Sequence, residues 1–209
     1  MTPTDNFSEI KQEILDRARR AEACRPEYGR AYAAEDMQGL CTVIKDNFNW
    51  CCRSGVIDAR LLEKYKSDFA ACDIYVNTDA ERGFLLCDDN AKVRAYDNAT
   101  VEACGSATVR AYDNAKVKAY DNAKVEAYDN AKVEACDNAT VEAYDNATVE
   151  ACDNATVRAS GNATVRACGN AYCSSWSLIE CKLSDNALYR VRSTNTVYYA
   201  NDNLKFVKQ

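Results

Sequence analysis

Chemistry in this chain has to come from thiols, carboxylates, phenols and amines, because its 209 residues include 12 cysteines and 13 tyrosines but no histidine. Without imidazole there is no His general base, no His partner for a nucleophile and no His metal ligand. The thiols are the next candidates. The Cys51-Cys52 pair and the spacing from Cys168 to Cys173 do not form the usual zinc patterns. A disulfide framework requires an exported chain. The opening MTPTDNFSEIKQEILDRARR turns charged at once, unlike a signal peptide or a membrane anchor. Reduced thiols in a cytoplasm are therefore expected. Cys24 and Cys173 are candidates for reactivity, and nothing in their positions singles one out. No nucleophile–base pair, phosphate loop or metal motif is present. The reading is a non-enzymatic protein with no catalytic residue, no metal and no cofactor.

The elements that position these groups come from an octapeptide. Ten consecutive copies run from DNAKVRAY at Asp89–Tyr96 to GNATVRAC at Gly161–Cys168, without insertion. Degraded copies continue through GNAYCSSW, SLIECKLS, DNALYRVR, STNTVYYA and NDNLKFVK, and one precedes as ERGFLLCD. A fixed short period means stacked repeats. The third, fifth and seventh places hold Ala, Val and Ala, as in Ala123, Val125 and Ala127, alternating with Thr or charged residues. Alternation by two is the pattern of a strand with one buried face, and a helical period would smear it around the circumference. Asp-Asn or Gly-Asn at the start of most octads supplies the corner.

The eighth place sets the coil length. Identities there occur in five of eight comparisons two octads apart, against two of nine one octad apart. Stacked positions should resemble each other, so 16 residues per coil are expected. One column is then Tyr96, Tyr112, Tyr128, Tyr144, Ser160 and Trp176, a stacking ladder. The other is Cys104, Tyr120, Cys136, Cys152 and Cys168. The small inward residues imply two closely apposed sheets or a narrow tube.

Other stripes have structural explanations. First-place aspartates such as Asp113, Asp129 and Asp145 would stack along a corner. A cation column like that of calcium β-rolls is conceivable there, but the Gly-rich nonapeptides of such rolls are absent, and carboxylates accepting N–H bonds within their own turns are favoured. Second-place asparagines are expected to form amide ladders inside the corner. Mixed charges in the fourth and sixth places fit cross-coil ion pairs on a solvated face. The Thr stripe (Thr140, Thr148, Thr156, Thr164) has charge where an ice-binding face has a second Thr. The Asn-Ala-Thr sequons at Asn98, Asn138, Asn146, Asn154 and Asn162 arise from the repeat itself.

A solenoid must cap its ends. Residues 1–72 read as a helical cap or recognition domain. Ser8 is expected to cap a helix with Ile10, Ile14, Leu15 and Ala18, ending before Pro26. A second helix is expected over 34–52, closed by Gly55, and a third after Asp58. Residues 73–168 are the solenoid, entered through strands at 73–77 and 83–87. Residues 169–209 form degenerate end coils. The net charge of −6, from 26 basic and 32 acidic residues, argues against a strongly basic nucleic-acid-binding domain. The fold class is α+β: a small helical N-terminal domain followed by a narrow β-solenoid, a parallel β-helix or β-roll. Partner-binding candidates are Phe48 and Trp50 on the helical part and Arg190, Arg192 and Lys205 on the basic, aromatic C-terminal part.

The run DNATVEAY-DNATVEAC resembles octapeptide-repeat proteins encoded in bacterial and phage genomes. The resemblance covers about residues 89–168, implies a β-solenoid and an origin on a mobile element, and transfers no catalytic residue. Polymerising bactofilin-like solenoids share the small inward residues, but the strict octad and the helical domain depart from them. The expected function is a rigid solenoid presenting its end domains to a protein partner, as an inhibitor or adaptor of a bacterium or phage. The alternative is a self-associating structural protein. Acidic mimicry of nucleic acid ranks last, and neither a membrane nor a nucleic-acid partner is expected.

Overall fold

The structure is a computed structural model that describes residues 6–200, and the chain divides into two compact units. One runs up to Asn77 and takes back Gly83–Leu86. The other holds Thr78–Arg82 and the chain from Cys87 onward.

Among its described residues the first unit has six helices: α1 (Phe7–Arg20), α2 (Arg25–Ala33), α3 (Met37–Asp46), α4 (Phe48–Arg53), α5 (Ala59–Lys64) and α6 (Lys66–Ala70). The expected buried face of α1, Ile10, Ile14, Leu15 and Ala18, is buried as read. Its start is not at Ser8, which lies inside the helix, since Asn6 is the N-cap residue. Helix α2 was not foreseen. Pro26 opens it instead of merely ending α1, because a residue without an N–H is favoured in a first helical turn, where that donor has no partner. The helix expected over 34–52 is two helices. Asn47 adopts φ −122° and ψ 26° between them, and its side-chain amide donates to the Val43 carbonyl at 3.0 Å. Such side-chain competition for backbone partners is what makes Asn a poor interior helix residue. The Asp58 cap is real: its Oδ1 accepts the Leu61 N–H at 2.7 Å. Strands β1 (Ile74–Val76) and β2 (Phe84–Cys87) pair in parallel, Ile74 against Phe84. Ile10, Leu40, Ile57, Leu61 and Phe69 lie at the centre of this unit's apolar core.

The second unit is a parallel β-solenoid of about seven turns. Each octad gives one four-residue strand, from β3 (Lys92–Ala95) and β4 (Thr100–Ala103) through β12 (Thr164–Ala167) to β13 (Tyr172–Ser175), β14 (Glu180–Leu183), β15 (Leu188–Val191) and β16 (Thr196–Tyr199). Successive strands alternate between two sheets, so each pairs with the strand sixteen residues on: Val101 with Val117, Val117 with Val133, Val133 with Val149. One sheet runs β4-β6-β8-β10-β12-β14 and the other β3-β5-β7-β9-β11-β13-β15-β16. The inward Ala and Val side chains exclude water almost completely; Ala99, Val101 and Ala103 are all 0% exposed. Period-two alternation with such small residues buries one face of each strand and lets two sheets close on each other.

The corners hold the one difference within the repeat. Each is closed by a third-place N–H donating to the preceding eighth-place carbonyl, as from Ala123 to Tyr120 at 3.0 Å. The first-place aspartates sit at φ near +55°, a left-handed region that costs most L-residues about 1 kcal/mol but that Asp tolerates. Their carboxylates do not close their own turn by accepting its backbone N–H groups, although Asp185 also accepts from a neighbouring hydroxyl, Ser184 Oγ at 3.2 Å. They accept from the preceding coil: Asp121 Oδ2 from Gly105 N–H at 3.0 Å, Asp153 from Asp137 at 3.2 Å, Asp185 from Gly169 at 3.1 Å. An N–H held sixteen residues away offers the charged acceptor a partner that links coils. Where Gly169 replaces Asp, a Cβ would come within 2.9 Å of the Asp153 nitrogen, so the coil closes tighter there. The asparagines are exposed rather than enclosed. Amide ladders are present at 3.3 Å from Asn162 to Asn146, from Asn170 to Asn154 and from Asn186 to Asn170.

At the C-terminal end the octad register persists but the path reverses. Strand β16 turns back antiparallel on β15, Thr196 against Val191, through a corner with Asn195 at φ +54°. The Arg190 guanidinium holds that corner through the Asn195 side-chain oxygen at 2.7 Å. Tyr189 takes an inward place that Val fills elsewhere, and its hydroxyl shares a 2.6 Å hydrogen bond with Ser175 Oγ and accepts from Ile179 N–H at 3.0 Å. A large phenol is accommodated because its polar tip is satisfied.

Candidate functional site

Two of the partner-binding candidates lie two residues apart on α4 and have opposite fates. Phe48 is 4% exposed, and its ring packs on Phe84 at 5.1 Å between centroids. It is a core residue of the helical unit. Trp50 is 41% exposed. It lines a groove of about 430 Å³ between α1, α2 and α3. Buried Ile14, Ala18, Ile44, Cys51 and Val56 contribute to its lining, as do the half-buried Tyr28 and Val43. Tyr28 belongs to the unforeseen α2. The signal for it was Pro26 followed by Glu27, a first-turn proline and acid, which together mark a helix start.

The charged residues lining this groove are both carboxylates, Glu22 and Glu27. Glu27 is held by Arg30 at 2.8 Å and by the Asn47 amide at 3.0 Å. Glu22 is exposed and sits at φ +56° just past the end of α1, with the next N–H, from Ala23, bonded back to Ala18 at 2.9 Å. Glycine is the residue that occupies this left-handed helix-end position without strain. Burial pushes the Cys51 thiol at the groove's inner side up to about 12, so it is a protonated, inert lining group. A second recess of about 450 Å³ lies among Glu13, Arg17, Ser54 and Asp58. Arg17 fills its chemistry internally, bonded to Glu13 and to Asp58 at 2.8 Å each.

On the solenoid, the four tyrosines of the expected ladder do stack. Tyr96, Tyr112, Tyr128 and Tyr144 have centroids 5.2, 5.0 and 4.9 Å apart, with planes within 12°. Tyr128 and Tyr144 donate to Glu126 and Glu142 at 3.0 and 2.7 Å. Ser160 interrupts the column, and Trp176 beyond it stands 65% exposed. Cross-coil ion pairs join Arg110 to Glu126 at 2.9 Å and Lys118 to Glu134 at 2.8 Å. Exposed pairs of this kind contribute about 0–1 kcal/mol each. Arg190 and Arg192 are exposed near the C-terminal hairpin, Arg190 engaged with Asn195. Lys205 lies outside the described residues. Among the described residues no group of three or more cysteines or carboxylates could hold a metal ion, and no helix is long and apolar enough to cross a membrane. Comparison with protein-family models, with curated proteins and with solved structures finds no match to this chain.

Proposed function

We propose that this is a non-enzymatic binding protein whose helical unit grips an apolar side chain of a protein partner, with the β-solenoid as a rigid scaffold. The observation that carries this reading is the groove beside Trp50: open to solvent, apolar inside, and carrying Glu22 where the backbone alone would favour glycine. Strain kept at a surface position points to a use for that side chain. Large aromatic residues next to a pocket are the usual anchors of protein recognition. The groove therefore suits a short segment with one aromatic or leucine anchor next to a Lys or Arg that meets Glu22. Panning a displayed peptide library against the full chain tests this. Enriched peptides should share an apolar anchor with a basic neighbour, and Val43→Glu should abolish their binding, while Glu22→Gly weakens it and leaves folding intact. Enrichment of peptides whose binding survives Val43→Glu would overturn the reading.

A second reading, self-association, has its own observation. Trp176, Leu178, Tyr198 and Tyr199 are 65, 67, 43 and 41% exposed in the last coils. Grouped exposed apolar residues mark interaction surfaces. Light scattering across a concentration series checks it: a dimer that dissociates in Leu178→Asp supports self-association, and a monomer throughout eliminates it.

A further inference from the structure

The eighth-place column of the sheet containing β8, β10 and β12 brings together thiols that the proposed binding function does not use. Strand β10 (Thr148–Ala151) pairs in parallel with β12, Ala151 against Ala167. Cys152 and Cys168 follow those residues at one corner, and the Cys168 N–H donates to the Ala151 carbonyl at 2.8 Å. Neighbouring coils are about 4.8 Å apart, inside the roughly 4.4–6.8 Å between Cα atoms that a disulfide spans. Both thiols are half-exposed. Both line one groove of about 260 Å³, together with Arg166, Lys182 and Glu150, which pairs with Arg166 at 3.3 Å. No other thiol lines that groove. Cys136 also stacks against Cys152 one coil earlier, but it does not line that groove. The other close pairs among the described residues each hold a buried thiol: Cys41 with Cys72, Cys87 with Cys104 and Cys173 with Cys181.

We propose that Cys152 and Cys168 form a dithiol site, oxidised to a cross-coil disulfide by a small anionic disulfide of the glutathione type. The lining carries two cations, Arg166 and Lys182, against one carboxylate, Glu150, and this net positive charge draws such a reagent into the groove. The two thiols are hydrogen-bonded, and this bond, with burial, pushes Cys152 up to about 12. Cys152 therefore keeps its proton and waits. The Cys168 thiolate attacks one sulfur of the reagent, forming a protein–glutathione disulfide and expelling one glutathione thiolate. Cys152 then loses its proton and attacks the Cys168 sulfur, forming the protein disulfide and expelling the second glutathione thiolate. Two protein thiols are oxidised, one glutathione disulfide is reduced to two thiols, and the two protons end on those products.

The test is exposure of the reduced full chain to oxidised glutathione, followed by digestion at aspartates, which separates Cys136 from Cys152, and mass spectrometry without reductant. A Cys152–Cys168 bridge is expected. Cys152→Ser should stop at a glutathione adduct on Cys168, while Cys136→Ser should bridge normally. Serine fits an eighth place, as Ser160 shows. Exchanging Arg166 and Lys182 for Glu should slow bridging about tenfold, a difference that high salt erases. No bridge in the wild-type chain, a Cys136–Cys152 bridge in its place, or an adduct on Cys152 alone would overturn the proposal.

Discussion

A side chain in this protein is defined as much by what lies sixteen residues away as by its chain neighbours. Tyr144 shows the consequence. Its ring stacks on Tyr128, and its hydroxyl donates to Glu142 at 2.7 Å. That bond, with burial second, raises its pKa to about 12. Losing the proton would place a phenolate against a carboxylate. The folded state therefore holds this proton where the unfolded chain releases it. The resulting stability is fully present below pH 10, and it falls as the pH rises through 10 towards about 12. Tyr128, bonded to Glu126, is shifted in the same direction. Monitoring tyrosinate absorbance against pH should show a late-titrating group that disappears in Tyr144→Phe. The variant should also lose stability less steeply than the wild type on alkaline titration. A titration curve unchanged by the substitution would show that the hydroxyl is not held.

At the scale of the element, the strand is four residues long and has no independent stability, so its inward pair must carry it. In β8 (Lys132–Ala135) that pair is Val133 and Ala135, 2 and 0% exposed, and Ala131 just before the strand is 0% exposed, between sheets spaced for small side chains. Enlarging Ala131 to Leu forces the sheets apart and should cost roughly 3 kcal/mol. Val133→Ala leaves a void and should cost about 2 kcal/mol. Lys132→Thr, on the outer face of the same strand, should change stability by less than about 0.5 kcal/mol. Urea denaturation of the three variants checks the order, and an equal cost for Lys132→Thr and Ala131→Leu would refute the two-faced strand. The same alternation is why the solenoid was legible from the residues: period, inward set and coil length all repeat, so each copy tests the others. The helical unit offered one copy of everything. The buried faces of α1 and α3 were readable from spacing. The breaks at Asn47 and Tyr65 were not, because one Asn or Tyr disfavours a helix too weakly to end it and local geometry decides, with φ near −120° at each. The groove was half legible: Trp50 could be named, but its neighbour Tyr28 sits on a helix hidden behind a proline read only as a stop. The corner carboxylates were assigned to the wrong coil, since a sequence shows an acceptor but not which N–H is nearest once coils stack. The reversal at β16 was invisible because its octad keeps the register of the others.

At the scale of the whole solenoid, the alternation of strands between two sheets makes sixteen residues the conserved quantity, and this can be tested by removing chain. Deleting residues 129–144 takes out one full coil. Every later strand stays in its own sheet. Lys118 then lies over Glu150 in place of Glu134, and Arg158 lies over Glu126 in place of Glu142, so opposite charges still meet where Lys118–Glu134 and Arg158–Glu142 pair in the intact protein. Tyr96, Tyr112 and Tyr128 remain stacked. In a quasi-one-dimensional fold the loss is one repeat and its interface, so the variant should unfold cooperatively at a midpoint a few degrees lower. Deleting only residues 129–136 keeps the inward Ala-Val-Ala pattern but moves every later strand into the opposite sheet. Tyr144 leaves Tyr128 and lands over Tyr120, and Cys152 lands over Tyr128, so the tyrosine ladder is cut after Tyr128. Although it removes half as many residues, the octad deletion should cost more than the coil deletion, because it breaks the side-chain columns and not only shortens them. Thermal melts followed by circular dichroism would decide. If the shorter deletion were the milder one, the columns would contribute nothing to stability and the inward residues alone would hold the coils together.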